Sequence, residues 1–314
     1  MPPREAGRDM FKSLASAVMA GRLQAVTLAL TFAVLAVFLP PFSLLSGAVV
    51  ALVALRVGMR GGIEVAALAA AALFLLGLAL GSPLGGLSYA LSQWLPVLLL
   101  AAVLRATSSW SATALVGVLV AVLGVWITHL LVPDVGAWWQ SLLEEMLKPL
   151  LQQDDAQARA LREALPRISG LMTGIVAVSG LLNALLALML GRWWQALLYN
   201  PGGFGEEFRA WRLPGWAAVI AVGCFAAGVW LQQDWMTEGG MLMLLPFFFQ
   251  GLAVVHAMNH ALKWPGLVLF GMYLLLILAM PQMVAMLTAI GAIDALADFR
   301  RRLPQDTDGS GRQP

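Results

Sequence analysis

Ser111-Ala112-Thr113-Ala114-Leu115-Val116-Gly117-Val118-Leu119-Val120-Ala121-Val122-Leu123-Gly124-Val125-Trp126-Ile127-Thr128-His129-Leu130-Leu131 runs for 21 residues without Asp, Glu, Lys or Arg. About 20 helical residues cross a hydrocarbon core roughly 30 Å thick, where only a helix or a closed barrel satisfies its own backbone. The run is continuously apolar and lacks the two-residue alternation of a barrel strand, so it reads as a transmembrane helix. Nine further runs bounded by Gly, Pro or charge lie at 22–39, 42–58, 63–80, 86–104, 168–190, 216–231, 241–261, 266–280 and 282–297. The second, seventh, ninth and tenth of the ten runs are the shortest relative to the core. The fold class is therefore all-α, a polytopic transmembrane helix bundle of about 8–10 segments.

Composition agrees. Of 314 residues, 19 are Lys or Arg and 17 are Asp or Glu, or 11% charged, while 60% are hydrophobic; soluble domains carry about 25% charge. A lone Cys224 excludes an intrachain disulfide framework. A net charge of +2 with no long basic run gives nucleic acid nothing to bind.

Orientation follows the positive-inside rule. Arg4, Arg8, Lys12 and Arg22 precede the first run, Arg56 and Arg60 flank the second connection, and Arg105 follows the fourth run. Arg192, Arg209 and Arg212 follow the sixth, Lys263 the eighth and Arg300, Arg301 and Arg302 the last, all on one side if there are ten crossings. Opposite connections at Pro40-Pro41, Gly81 to Gly85, Gln232 to Gly240 and around Pro281 hold no Lys or Arg. Both termini are expected in the cytoplasm, in a bacterial inner membrane. Residues 266–297 read either as one Pro-kinked helix or as two short helices turning at Pro281, and the charge rule favours two. The first run ends in Leu39-Pro40-Pro41 without an Ala-x-Ala site and is expected to be an uncleaved span.

The expected organisation is a cytoplasmic tail at 1–19, a six-helix module at 20–195, a cytoplasmic loop at 196–215, C-terminal membrane helices at 216–299 and a disordered tail at 300–314. Residues 1–9 are also expected to be disordered. The outer connection at 132–167 carries Trp138, Trp139, Leu142, Leu143, Met146, Leu147, Leu150 and Leu151 at helical spacing between polar residues. That is an amphipathic interfacial helix, either a lid over an outward pocket or a linker. Gly77, Gly81 and Gly85, and Gly170 with Gly174, stand four apart and mark seams of close helix packing.

Ionisable groups inside spans point towards function unless they snorkel, as Arg56, Glu64 and Arg105 near the cytoplasmic surface would. Gln93 and Asn183 lie deeper. On the eighth run His256, Asn259, His260 and Lys263 gather within about 100° of helical arc. Asp294 and Asp298, one turn apart, are expected at the same surface, forming an ion-pair cluster or a proton-coupled gate. No His-Glu-x-x-His pattern accompanies the imidazoles, so no metal is expected. Residues Asn200-Pro201-Gly202-Gly203-Phe204-Gly205-Glu206-Glu207-Phe208-Arg209-Ala210-Trp211-Arg212-Leu213-Pro214 form the most distinctive loop. Here Asn200, Pro201, Gly202, Gly203, Glu206 and Arg209 are the candidate binding residues: a Pro-Gly-Gly turn that exposes amides, followed by a short helix with acids first. No P-loop, nucleophile elbow or zinc motif occurs, so neither an enzyme nor a cofactor is expected.

On Asn200 to Pro214, on Gln250-Gly251-Leu252-Ala253-Val254-Val255-His256 and on Asp294 to Arg301, the chain resembles the YybS-like family of predicted bacterial membrane proteins, a domain of unknown function, over about residues 15–300. The first six spans more loosely resemble the substrate-binding membrane components of energy-coupling-factor transporters. That resemblance implies a six-helix module followed by extra helices, and it brings no vitamin-binding motif. Two functions follow. A transporter or transporter component predicts a mid-membrane cavity lined by Gln93, Asn183 and Trp94. A scaffold or regulator docking a cytoplasmic or membrane partner through residues 200–214 predicts a filled bundle. Neither names a ligand; the lipid bilayer is the one partner the composition requires.

Overall fold

The computed structural model of the chain describes residues 3–153 and 155–302. Of these, 88% are helical and none is in a strand. The helices are α1 Pro3–Met19, α2 Arg22–Phe38, α3 Phe42–Arg56, α4 Met59–Ala79, α5 Pro83–Thr107, α6 Trp110–Leu131 and α7 Val135–Leu151. They continue with α8 Ala156–Gly170, α9 Met172–Tyr199, α10 Gly203–Arg209, α11 Gly215–Leu231, α12 Asp234–Ala261, α13 Gly266–Leu278 and α14 Met280–Ala297. Six of them, α4, α5, α6, α9, α12 and α14, are long and apolar enough to cross a membrane, and α2, α3, α11 and α13 are shorter apolar helices. These ten coincide with the ten apolar runs of the sequence.

Two helices organise the packing. In α3 every residue from Ser46 to Leu55 is buried, which is why it reads as apolar all round rather than amphipathic. Its closest neighbour is α9: a Cβ at Gly47 would lie 2.7 Å from the Ala187 Cβ, and one at Gly191 would lie 2.9 Å from the Ala48 carbonyl. In the C-terminal part α12 is the hub. It touches α11 at Gly240 against Phe225 and at Gly228 against Thr237, and α14 at Gly251 and Gly291. Without a hydrophobic drive between helices in lipid, such small-residue seams let backbones approach closely. Outward faces stay apolar, with Leu75, Leu123, Ile220 and Ile277 exposed, as helices in a bilayer require.

Several expectations are corrected. Residues 3–9, expected to be disordered, form the first turns of α1, whose Phe11 packs edge-on against Trp193 at 5.3 Å. Residues 1, 2 and 303–314, read as parts of the tails, lie outside the described residues. Residues 300–302 belong to a short 3₁₀ turn, Phe299–Arg302. Gly81 is not a packing position but the turn between α4 and α5, at φ +75°, while Gly77 and Gly86 make the close contacts there. In the 132–167 connection the expected helix is α7, and a second helix, α8, follows it; Asp134 and Asp155 cap them, their carboxylates accepting from Ala137 N and Ala158 N. The eighth span begins at Asp234 rather than 241, and the sixth runs from Met172 to Tyr199. The 266–297 segment is two helices, as the charge rule favours, with the break at Ala279 rather than Pro281, which lies in the first turn of α14.

All the inter-span connections that carry Arg or Lys, the 132–167 connection excepted, meet at one end of the bundle, here the basic end. Arg300 there reaches the carbonyls of Arg209 and Trp211, so α14 finishes beside the 200–214 loop. At the far end lie the α7–α8 pair and the first turns of α9 and α12.

Candidate functional site

The three motifs that carry the family resemblance are distant in sequence and adjacent in space. The Leu213 amide donates to Gln250 Oε1 at 2.8 Å, and Gln250 Nε2 donates to Asp294 Oδ2 at 2.8 Å. Arg300 Nη2 donates to that same carboxylate oxygen at 2.9 Å and to the Trp211 carbonyl at 2.7 Å, while Nη1 donates to the Arg209 carbonyl at 2.7 Å. Gln250 and Asp294 are completely buried, and most buried polar groups are paired in this way, although Asp294 Oδ1, Arg300 Nε and Trp211 Nε1 have no hydrogen-bond partner among the described residues. Trp211, also buried, stacks on Phe249 at 5.5 Å and on Trp110 at 5.7 Å. The result is a junction that pins the 209–213 segment between α6, α12 and the end of α14. Two ion pairs border it, Arg192 with Glu207 and Arg212 with Asp298.

The expected cluster of histidines with aspartates separates into two. Asp294 faces Gln250 and Arg300, and Asp298 faces Arg212 and Arg301. His256 lies on another face of α12, its Nδ1 2.9 Å from the Leu252 carbonyl, its Nε2 3.3 Å from the Tyr273 hydroxyl and its ring edge-on to Phe208. His260 is exposed, and Asn259 Oδ1 is buried without a hydrogen-bond partner among the described residues. In the Asn200–Arg209 turn, Gly202 adopts φ +96° and the Asn200 amide lies across Gly203, where a Cβ would stand 2.2 Å from Nδ2. The amides of Gly203, Gly205 and Glu206 bond back to Asn200 and Gly202 carbonyls. These three amides are engaged within the turn, while Pro201 and Glu206 stay exposed.

Sequence reasoning missed the far-end site. Glu238, one turn into α12, has no exposed surface. Its Oε1 accepts from the Gly174 amide at 2.7 Å, and its Oε2 lies 2.6 Å from His129 Nε2 of α6. Gly174 is required: a Cβ there would lie 2.5 Å from Glu238 Cγ. Around the pair, Trp126 packs edge-on to Trp235 and Trp139 Nε1 donates to Thr173 Oγ1 at 2.8 Å, which brings the start of α7 against α9. Placing the span start at Met241 left Glu238 in a loop. The signal for it was Asp234 and Glu238 standing one turn apart in phase with the apolar face that follows.

Between α3, α5 and α9, Asn183 Nδ2 donates to Gln93 Oε1 at 2.5 Å and Ser43 Oγ donates to Asn183 Oδ1 at 3.0 Å. Trp94, buried, donates to Ser46 Oγ at 3.0 Å. A π-helical turn at Ala90–Trp94 within α5 sets this register, a local irregularity frequent at functional sites. These groups satisfy one another. Separately, a groove of about 440 Å³ between α5, α6 and α9 is lined by apolar and small residues such as Leu99, Gly124 and Gly180, with Thr128 and Thr173 among its walls. Among the described residues no group of three or more His, Cys, Asp or Glu is arranged to hold a metal ion.

The sequence profile described as "Predicted membrane protein (DUF2232)" matches residues 26–295. Comparison with curated proteins and with solved structures returns no match. The matched residues take in eight of the ten apolar helices whole and most of α2 and α14, together with the far-end Glu238–His129 pair and all of the junction but Arg300, and the chain belongs to the DUF2232 family of predicted membrane proteins.

Proposed function

We propose that the protein is a non-enzymatic, small-molecule transporter or the substrate-binding membrane component of one. It would be seated in a bacterial inner membrane with its basic end in the cytoplasm, and Glu238–His129 would be its proton-responsive element. The observation that carries this reading is the completely buried Glu238 paired with His129 inside a membrane helix bundle. An ionisable pair there costs several kcal/mol to desolvate and marks ion or proton pathways. The α7–α8 pair beside it would act as the outer gate. The looser sequence resemblance of residues 20–195 to energy-coupling-factor substrate-binding components supports the same class. The mid-membrane groups Gln93, Asn183 and Trp94 are mutually bonded rather than lining a cavity, so the conformation described is a closed one on this reading.

The test is accumulation. Vesicles bearing the protein, energised by an imposed pH gradient and given pooled isotope-labelled metabolites, should concentrate at least one of them above empty vesicles. Glu238→Gln should abolish that accumulation while the protein still inserts. No accumulated metabolite in any pool, with correctly folded protein, refutes transport.

A second reading has its own support. The filled mid-membrane region and the braced 200–214 loop favour a scaffold that presents the basic end to a cytoplasmic partner. Deleting 202–207 should then strip a protein from the purified material without affecting any solute.

A further inference from the structure

Nearly every described arginine of the basic end has a partner. Arg22 and Arg60 meet Glu64, Arg192 meets Glu207, Arg212 and Arg301 meet Asp298, and Arg300 meets Asp294. Arg56 lies 4.0 Å over the Tyr199 ring, and Arg105 donates to the carbonyls of Ala54 and Leu55. Among the residues whose side chains are described (7–153, 155–298, 300 and 301), Arg8 of α1 and Arg209 at the end of α10 are the arginines of this end that have neither a carboxylate, a ring nor a carbonyl. Both line the same cavity, of about 660 Å³, between α1, the end of α9 and the 202–209 turn.

The floor of that cavity is of another kind. Phe11, Trp193 and Phe204 line it, with Leu197 beside them. Arg209 is only partly exposed, and its Nη1 lies so near Gly205 that a Cβ there would stand 3.1 Å away. Glycine at 205 therefore lets the guanidinium lie along the turn and face the cavity. A partly desolvated guanidinium without an acceptor favours an anion, and a planar fork of donors suits phosphate oxygens. Aromatic and aliphatic walls at the end of the membrane helices suit an apolar body.

We propose that this cavity binds a phosphate-bearing anion with an apolar body, its phosphate held between Arg8 and Arg209 and its apolar part on Phe11, Trp193 and Phe204. The proposal does not depend on whether the protein transports. A membrane phospholipid and a soluble phosphate share the recognised group, and the experiment separates them.

The full-length protein in maltoside micelles is titrated with dioctanoyl phosphatidylglycerol, dioctanoyl phosphatidylcholine and inorganic phosphate, with occupancy read by native mass spectrometry. One phosphatidylglycerol should bind more tightly than phosphatidylcholine, and Arg209→Gln and Arg8→Gln should each weaken it about tenfold, as the loss of a charged hydrogen-bond donor would. Arg60→Gln, on a side chain 95% exposed and outside the cavity, should change it less than about twofold. Inorganic phosphate saturating with the same arginine dependence would also support the site and assign it a soluble ligand. Equal binding of both lipids with no phosphate binding, or phosphatidylglycerol binding indifferent to both arginine changes, overturns the proposal. Should Arg209→Gln lower the melting temperature, the exposed Arg8→Gln decides alone.

Discussion

Gly251→Ala is the sharpest perturbation this fold offers. A Cβ at 251 would stand 1.9 Å from the Leu287 carbonyl oxygen and 2.6 Å from its carbon. Ordinary contact begins at about 3.5 Å, so α12 and α14 must part locally by roughly 1.5 Å. The obstacle is backbone on a helix, so no side-chain rotation relieves it. Overpacking of this kind costs about 1–3 kcal/mol. The same movement stretches the neighbouring Gln250–Asp294 bond, now 2.8 Å, and losing a buried bond to a charged group adds about 1.5–3 kcal/mol. Together the loss is roughly 2.5–6 kcal/mol. Reversible unfolding in mixed micelles, followed by circular dichroism against the mole fraction of dodecyl sulfate, reads this directly. Gly291→Ala, whose Cβ would lie 2.0 Å from the Phe247 carbonyl, should match it. Gly223→Ala and Gly271→Ala, with nothing within 4 Å, should sit within about 1 kcal/mol of the parent, on the stabilising side through helix propensity. If Gly251→Ala unfolds at the same dodecyl sulfate fraction as Gly223→Ala, the two helices are not in backbone contact and the argument fails.

Asp294→Ala leaves Arg300 and Gln250 buried without their shared acceptor, at a cost of about 3–5 kcal/mol; limited trypsin digestion should then cut at Arg209 and Arg212 sooner than in the parent, and an unchanged rate would contradict the junction. Glu238→Ala strips the acceptor from the Gly174 amide and the partner from His129, for about 1–3 kcal/mol, whereas Glu238→Gln keeps the first bond and should melt between the two; equal melting of all three proteins would show the pair to be inert. Arg105→Ala frees two carbonyls at the end of α3 and should lower the melting temperature, while Arg60→Ala should not. In a Cys224→Ser background, cysteines placed at Ser108 and Gln153 should react with an impermeant maleimide from opposite sides of sealed vesicles, and labelling of both from one side would reject the arrangement of ends.

How far the sequence could be read depends on the distance over which each feature is decided. Every apolar helix was visible, because a bilayer imposes a local rule that a run such as Ala66 to Leu80 obeys on its own. Boundaries failed where tertiary contacts extend a helix past its apolar part: Glu238 is helical and buried because Gly174 and His129 satisfy it, and nothing near residue 238 announces those partners. α12 is helical through His256, Asn259 and His260, yet helical periodicity does not tell which neighbour their arc meets. Asp294 went instead to Arg300, six residues along its own chain, and to Gln250. The Gly202 turn was legible from Pro-Gly-Gly chemistry, while the fate of its amides depended on carbonyls a few residues away. The π-helical turn at Ala90–Trp94 has no local signature at all.

The bracing of residues 209–213 also sets an order of events in biogenesis. The guanidinium that closes on the Trp211 carbonyl belongs to a residue 89 positions later. At synthesis rates of about 5–20 residues per second, roughly 5–20 s separate the emergence of the loop from that of its clamp. Throughout that interval the segment lacks its final partners, and it closes only when the last helix has been inserted. The shut loop is thus a molecular record that the chain has been made through α14 to Arg300, and a chain cut short before α14 would keep displaying Arg209 and Arg212 to any protease at that surface.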